Sequence, residues 1–399
     1  MKAFHLSLTV MALSGLAAMP AWAEESVTAW RLFVADHEQP LVTALDLADG
    51  SVLGAFPLGS PARLYATPSK AAVYAVQGAA DQVSIIGTGL KFDDHGDHGD
   101  LHVTAPGPVG AALPGDQPVH FVPHDGRIAV FFDGEGKVRL LNEADWLEGK
   151  VESQEITLAA PHHGVAIPFG AQTLVSVPDP ANADNLPIGM EWRGADGATI
   201  GDMAACPDLH GEATSGDVTA IACATGLLLV EPGKDGPTIR HLAYDPALPE
   251  GKTTTLLGGV GLQYFLGSYG ADKIALIDPS AEKPFRLVDL PVRRVHFAVD
   301  PVRVKYAYVF TEDGALQRIN VLSGTIEKSL KLTEPYSMDG DWSLPRPRIA
   351  VAGDRIVVTD PLKSVLHVID AEGFVLDRDI PLAGKPYNIV AVGGSGAVH

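Results

Sequence analysis

The sequence has few cysteines, few basic residues and no long apolar run beyond its first residues. Its 399 residues include 2 cysteines, and 29 Lys and Arg stand against 49 Asp and Glu, a formal net charge of −20 at pH 7. That charge argues against a protein that binds nucleic acid or an anionic membrane surface. Because no apolar run of membrane-spanning length follows the N terminus, we expect a soluble mature protein.

Several enzyme motifs and the helical pattern are also missing. The sequence contains no C-x-x-C-H for attachment of haem c. A G-x-S-x-G nucleophile elbow is not convincing either, because the nearest match, residues 392–396, lies at the C-terminal end of the chain. No segment has a long helical period, so the chain is predicted to be all-β.

The first residues are typical of an export signal. Lys2 supplies a positive charge, Leu6 to Ala18 is apolar but too short to span a bilayer, and Ala21-Trp22-Ala23 matches an A-x-A cleavage site. We therefore predict cleavage after Ala23 and a periplasmic mature protein.

The mature sequence repeats one pattern: a strand, a short turn, a strand ending in Asp, an Asp-Gly turn, a further strand, then Gly-x-Pro. The first strand of this pattern corresponds to the second strand of a propeller blade. It recurs in eight places, which begin near Arg31, Ala72, Arg127, Gln172, Val218, Tyr264, Ala307 and Arg355. The repeats average a little under 50 residues, the size of a four-stranded propeller blade. We predict a single domain, residues 24–399, folded as an eight-bladed β-propeller, with seven blades as the alternative.

The phase of the repeat also predicts how the ring closes. The chain begins in a second strand and ends with residues 385–392, which have the pattern of a first, innermost strand. We expect this C-terminal strand to complete the N-terminal blade and so remove two exposed sheet edges.

Three histidines fall at matching starts of innermost strands in consecutive blades. The segments Pro118-Val119-His120 and Pro161-His162-His163 align on proline, and Cys206-Pro207-Asp208-Leu209-His210 aligns with one extra residue. Innermost strands begin at one face beside the central channel, so His120, His163 and His210 are predicted to meet there. Three imidazoles and a fourth group make a tetrahedral zinc site. Candidates for that group are Asp208, Asp116, His124, His162 and water.

Two other interpretations of these histidines stay open at the sequence level. They can hydrogen-bond from blade to blade inside a polar channel, in which case the protein is an interaction propeller without metal. A three-histidine zinc with an open position is also a catalytic arrangement, so a metal-dependent lactonase is the alternative function.

The two cysteines, Cys206 and Cys223, are predicted to form a disulfide, as expected for a pair in an oxidising compartment. Cys206 precedes an innermost strand and Cys223 ends the neighbouring strand, so antiparallel pairing brings them together. The bridge would close a loop that contains His210.

Residues 91–102 hold three histidines and four aspartates among glycines: His95, His98, His102, Asp93, Asp94, Asp97 and Asp100. We see no apolar periodicity here and predict a loop rather than a strand. Imidazole and carboxylate side chains are ligands for a divalent cation such as zinc. If residues 82–86 form a third strand, however, this loop lies on the face opposite His120, His163 and His210.

Together these features resemble the AztD family, periplasmic zinc metallochaperones with a β-propeller fold. The resemblance covers the mature chain and rests on the export signal, the eightfold repeat, residues 93–102, the Pro-x-His segments at His120 and His163, and the cysteines flanking His210. It implies a zinc carrier and not an enzyme, expected to be monomeric, that transfers Zn²⁺ to the substrate-binding protein of a zinc ABC importer. The implied tight site is His120, His163 and His210, completed by Asp208 or His124. The implied role of His95, His98 and His102 is capture or transfer.

Overall fold

The computed structural model describes residues 26–95, 99–234, 236–341 and 343–397. These residues form eight sheets, each with at least four strands joined in antiparallel order. The second strand of each sheet is almost wholly buried, as in Ala72–Gln77, whereas the outermost strand is largely exposed, as in Thr325–Lys331. Eight such sheets make an eight-bladed β-propeller, as predicted, and not a seven-bladed one.

The first two blades are the least regular. From the channel outward, blade 1 contains Pro386–Ala397, Ser26–Asp36, Leu41–Asp46 and Val52–Pro57. Blade 2 contains Arg63–Ala66, Ala72–Gln77 and Gln82–Gly87, with an outer strand in two pieces, Gly107–Pro108 and Leu113–Pro114. A 3-10 turn, Gly78–Ala80, joins its second and third strands.

The other six blades each have four strands. Blade 3 is Pro118–His124, Arg127–Phe132, Lys137–Asn142 and Gln154–Thr157; blade 4 is Ala166–Phe169, Gln172–Val177, Gly189–Arg193 and Thr199–Ala205; blade 5 is Glu212–Ser215, Val218–Cys223, Gly226–Glu231 and Thr238–Ala243. Blade 6 is Leu256–Leu257, Phe265–Tyr269, Lys273–Ile277 and Phe285–Asp289; blade 7 is Arg294–Val299, Tyr306–Thr311, Ala315–Asn320 and Thr325–Lys331; blade 8 is Ile349–Ala352, Arg355–Asp360, Val365–Asp370 and Val375–Pro381. One short helix, Glu143–Leu147, follows the third strand of blade 3.

The ring closes as predicted. The C-terminal strand pairs antiparallel with Ser26–Asp36 from Ser26↔Ala397 to Asp36↔Pro386. Blade 1 therefore joins the two ends of the described chain, and the pairing covers edges that would otherwise be open.

The core lies between neighbouring blades. Between blades 2 and 3, for example, Tyr74 packs against Phe121 at 4.6 Å and against Trp146 at 5.2 Å between ring centroids. Within the described chain, no helix is long and apolar enough to cross a membrane.

The two faces of the ring carry different connections. We call the face at which the innermost strands begin the top face, and the opposite face the bottom face. Second strands end at the top face, so the turns that follow them lie there as well. Third strands run from top to bottom, and Gln82–Gly87 is a third strand. The connection after it, which includes residues 88–106, therefore leaves from the bottom face.

That connection is a β-hairpin and not the predicted loop. Leu90–Asp94 pairs antiparallel with Gly99–Val103, and the second strand meets the far end of the C-terminal strand through a parallel contact, Ala397↔Asp100. Leu90 and Leu101 are only 3% and 2% exposed, so the stem has a buried face that its charged neighbours hid from the sequence pattern.

One buried cation fixes the base of this hairpin. Both ends of the guanidinium of Arg31 donate hydrogen bonds to backbone carbonyls, one to Thr88 and the other, at 2.5 Å, to Thr104. Lys70 Nζ lies 5.0 Å from the ring centroid of Phe92. The stem is therefore anchored to blade 1.

Candidate metal centre

Three imidazoles approach one another at the top face. The Nε2 atoms of His120 and His163 are 3.4 Å apart, their ring centroids are 4.9 Å apart, and the ring centroids of His163 and His210 are 5.7 Å apart. They come from blades 3, 4 and 5, as the sequence predicted. The structure therefore brings together the three histidines of the predicted zinc site.

The backbone register explains this convergence. His120 lies opposite Phe131, the penultimate residue of its second strand. His210 is at the same level, because its backbone N–H donates to the carbonyl of Ala222, again a penultimate residue. In blade 4 the penultimate residue of the second strand, Ser176, donates its N–H to the carbonyl of Val165. Val165 is therefore at the level of His120 and His210, and His163 lies two residues before it. The proline alignment therefore found the right residues although blade 4 begins irregularly.

The spacing of the closest pair suits a metal ion. Two nitrogen ligands of a tetrahedral zinc with bonds of about 2.0–2.1 Å lie about 3.4 Å apart. The Nε2 atoms of His120 and His163 have this separation. His210 is more distant, and within the described ranges no three His, Cys, Asp or Glu side chains form a closed metal-binding group as they stand. Coordination by all three histidines requires His210 to move toward the pair.

Each of these rings has a partner at its other nitrogen. His163 Nδ1 donates to the carboxylate of Asp133 at 2.7 Å, and His210 Nδ1 donates to the carbonyl oxygen of Thr254 at 2.8 Å. A proton held at Nδ1 leaves Nε2 with its lone pair free for a metal, the arrangement that carboxylates and carbonyls impose on zinc-binding histidines.

The third ring, His120, faces a carboxylate with its Nδ1, which lies 3.8 Å from Glu212 Oε2. Burial disfavours the imidazolium of His120, but the negative charges of Glu212 and Asp133 outweigh it and raise the pKa of His120. Burial lowers the pKa of His210, whose ring is accordingly neutral near pH 7. The site thus combines one neutral imidazole with one that protonates more readily than usual.

Asp133 and Glu212 were missed by the sequence analysis. Asp133 follows the second strand of blade 3 and reaches the histidine of the next blade, a contact that no local pattern reports. Glu212 stands two residues after His210 at the start of an innermost strand. It pairs with Ile221, the residue before Ala222, and this closeness to His210 in the sequence is a signal that could have identified it.

The predicted candidates for a fourth group lie elsewhere. Asp208 is exposed and pairs with Lys252 at 3.0 Å, and Asp116 is also exposed. His124 lies at the far end of the strand that contains His120, and its ring packs at a tilt against Phe169, with 4.5 Å between ring centroids.

His162 is also engaged elsewhere: it is only 4% exposed, with its two nitrogens 2.9 Å from Ala160 O and Ser176 Oγ. Of the acidic groups near the three histidines, Glu212 is placed better for a fourth ligand than any of these candidates.

The disulfide lies directly before His210, as predicted. Cys206 and Cys223 are bonded, with Cα atoms 4.9 Å apart and a sequence separation of 17. Gly211, which has φ +95°, follows the histidine, and a Cβ there would lie 2.6 Å from the Thr254 carbonyl. The segment that carries His210 is therefore held by the covalent bridge on one side and by close packing on the other.

Two histidines of the hairpin, His95 and His102, each face an aspartate. His95 Nε2 lies 3.1 Å from Asp100 Oδ2, and His102 Nε2 lies 3.4 Å from Asp93 Oδ2. His98 lies outside the described residues. The 12-residue C-terminal strand runs from the top face to the Ala397↔Asp100 contact, a distance of about 36 Å at about 3.3 Å per residue. The hairpin and the three histidines are therefore on opposite faces.

Comparison with known proteins identifies the family. No family model matches the sequence. The zinc chaperone AztD of Citrobacter koseri is 51% identical over 400 residues, which covers 100% of this chain and 95% of that protein. That name describes a chaperone and not an enzyme.

Solved structures give the same result. A crystal structure of C. koseri AztD has a TM-score of 0.92 at 51% identity and covers 94% of this chain and 100% of that one; the apo form has a TM-score of 0.90 at 50% identity over 93% and 100%. Dihydro-haem d1 dehydrogenase NirN, at 15% identity and a TM-score of 0.58, shares the fold alone over 94% of this chain and 77% of that one. An eight-bladed ring with half of its residues identical over the full length leaves one assignment: the chain belongs to the AztD family of zinc chaperones.

Proposed function

We propose that this protein is a periplasmic zinc chaperone that binds Zn²⁺ through His120, His163 and His210 and hands it to the substrate-binding protein of a zinc ABC importer. The observation that carries the proposal is the orientation of the imidazoles. Nδ1 of His163 and of His210 each has an acceptor, Asp133 and the Thr254 carbonyl, so that Nε2 is left for the metal.

Binding is expected to draw in His210 and a fourth ligand. Glu212 is our choice for that ligand, since its carboxylate already lies beside His120. A site that has to close around its ion exchanges ligands more readily than a rigid one. Stepwise exchange, in which each bond broken is replaced by one formed, suits a carrier that must release its cargo to a docked acceptor.

The hairpin takes a different role in this proposal. Its histidines, His95 and His102 together with His98, collect zinc or deliver it from the bottom face. The side chains of His95 and His102 are 51% and 54% exposed, so they are accessible to solvent ions. Their separation from the top face argues for two sites and not for one shared site.

Equilibrium zinc binding by competition with a chelator tests the proposal on the mature protein. His163→Ala is expected to weaken zinc binding by at least about 100-fold. Loss of a direct ligand should cost more affinity than loss of a hydrogen-bond partner of a ligand, which weakens metal binding by about 10–100-fold. His241→Ala is the matched control, since His241 is an exposed histidine on the outer strand of blade 5 that contacts Thr225 at 3.0 Å. Failure of the wild type to bind zinc below micromolar concentration would refute the proposal.

A further inference from the structure

Two groups of polar residues lie at the starts of innermost strands on the top face. Blades 3, 4 and 5 supply His120, His163 and His210. Blades 8, 1 and 2, which are consecutive because the ring closes at blade 1, supply Arg348, Tyr387 and Arg63. We call this second set the arginine arc.

The register places the arginines level with the histidines. Arg63 lies opposite Val76, the penultimate residue of its second strand, as His120 lies opposite Phe131. Arg348 is at the same level, because its carbonyl accepts a hydrogen bond from Thr359 and its N–H donates to the hydroxyl of Thr359. Cations therefore occupy in blades 2 and 8 the position that an imidazole occupies in blade 3.

The arc is a connected structure. Arg348 Nη2 donates to the hydroxyl of Tyr387 at 2.5 Å, and its guanidinium carbon lies 4.8 Å from the centre of that ring. Tyr387 packs edge-on against His37 at 5.0 Å. The next residue, Asn388, donates to the carbonyl of Ala62 at 3.4 Å, which links blade 1 to the residue before Arg63.

Neither arginine is neutralised. Several arginines elsewhere pair with carboxylates, as Arg240 does with Glu231 at 2.8 Å and Arg293 does with Asp339 at 2.5 Å. In the part of the chain that the structure describes, no carboxylate forms a salt bridge with Arg63 or Arg348. Arg127 and Arg286 also lack a carboxylate partner there, but each donates to a backbone carbonyl.

A free cation beside a zinc site opposes binding of the ion. Arg63 lies in blade 2 at the level that His120 occupies in the neighbouring blade 3, and Coulomb repulsion from its positive charge disfavours Zn²⁺ there. Arg63 therefore does not serve to hold the metal. Its charge instead suits a negative group that arrives from outside.

We propose that the arginine arc docks an acidic segment of the zinc-accepting protein and so places a carboxylate beside the metal as an incoming ligand. This inference rests on the proposed chaperone function and adds the chemistry of its partner. Guanidinium groups bind carboxylates in a defined geometry. Two copies of this chain would repel each other through their formal charges of −20, which favours a different protein as the occupant.

The test measures zinc affinity and transfer separately. Zinc-loaded wild type, Arg63→Gln, Arg63→Lys and Lys283→Gln are mixed with the purified substrate-binding protein of the importer at low and high salt. Lys283 is the matched control, because it is an exposed cation in a bottom-face turn of blade 6, before Phe285–Asp289. Arg63→Gln is expected to bind zinc at least as tightly as wild type, yet to transfer it about tenfold more slowly at low salt and with weaker salt dependence. Arg63→Lys retains most of the rate, and Lys283→Gln behaves as wild type.

Three results would overturn the inference. Transfer by Arg63→Gln at the wild-type rate and salt dependence removes the docking role while leaving the chaperone function intact. An equal slowing of zinc loss to citrate, a small carboxylate chelator, assigns the arc to free anions instead of a protein. Absence of zinc binding in the wild type refutes the chaperone function itself, and this inference with it.

Discussion

The top-face histidines and the bottom-face hairpin contain the same residue types in different settings. At the top face, three imidazoles come from three blades, and a carboxylate or carbonyl of another segment fixes the outer nitrogen of two of them. In the hairpin, His95 and His102 pair with aspartates of the same two strands and are about half exposed. The comparison teaches that a His- and Asp-rich composition supplies ligands, whereas convergence of distant strands supplies their orientation.

Removal of the disulfide is expected to have the largest effect, and it should change the top-face site but not the hairpin. Replacing Cys206 and Cys223 together by Ser is expected to lower the free energy of unfolding by about 3 kcal/mol, as loop entropy predicts for a bridge of this span. Because the bridge precedes His210, zinc affinity at the top face should fall as well, while the hairpin is unaffected. Chemical denaturation and zinc titration check both effects, and unchanged values for the variant would show that the bridge does not support the site.

Substitution of Asp133 tests whether zinc affinity depends on the orientation of the His163 ring as well as on the presence of that ligand. Asp133→Asn keeps the shape of the side chain but removes the charge that holds the Nδ1 proton of His163, so zinc affinity should fall about tenfold. Asp208→Asn is the control, since that exposed aspartate pairs with Lys252. Equal affinities for Asp133→Asn and wild type would argue that His163 needs no such partner.

The pH dependence of zinc binding tests Glu212. A protonated imidazole cannot bind metal, and Glu212 raises the pKa of His120 after overcoming the effect of burial. Protons therefore compete with zinc at His120 from a higher pH than at an ordinary histidine, and affinity is lost as the pH falls through this raised value. Glu212→Gln should lower affinity at every pH, because it removes the proposed fourth ligand, and should also move the loss to lower pH. If the variant shifts the pH dependence but keeps full affinity at higher pH, Glu212 acts only as a charge and is not a ligand.

The hairpin variant should have the smallest effect on affinity. His95→Ala combined with His102→Ala is expected to change tight binding by no more than about twofold, because distant sites are nearly additive. The rate of zinc acquisition or transfer should fall instead. Loss of tight binding in a competition titration would show that the two faces do not divide the roles in this way.

The local sequence predicted the second strands of the blades but not the stem of the hairpin. The second strands at Ala72, Arg127 and Arg355 begin where the repeat predicts them, because strand and turn signals are local. The hairpin stem was missed because its buried face consists of alternate residues, Leu90 and Leu101 among them, between charged neighbours.

The partners of the histidines were missed for another reason. Asp133 and His163 are 30 residues apart, and Thr254 and His210 are 44 apart. Only the closed ring brings such pairs into contact. Sequence reasoning therefore predicted which histidines meet, but not what holds them.

The most direct test is to locate the first zinc ion that binds. Crystals of the mature protein grown with one equivalent of zinc, with data collected at the zinc absorption edge, give its position without assumptions about ligands. Our account predicts a single strong anomalous peak between His120, His163 and His210. A first peak at the hairpin, beside His95 or His102, with none at the top face, would contradict it.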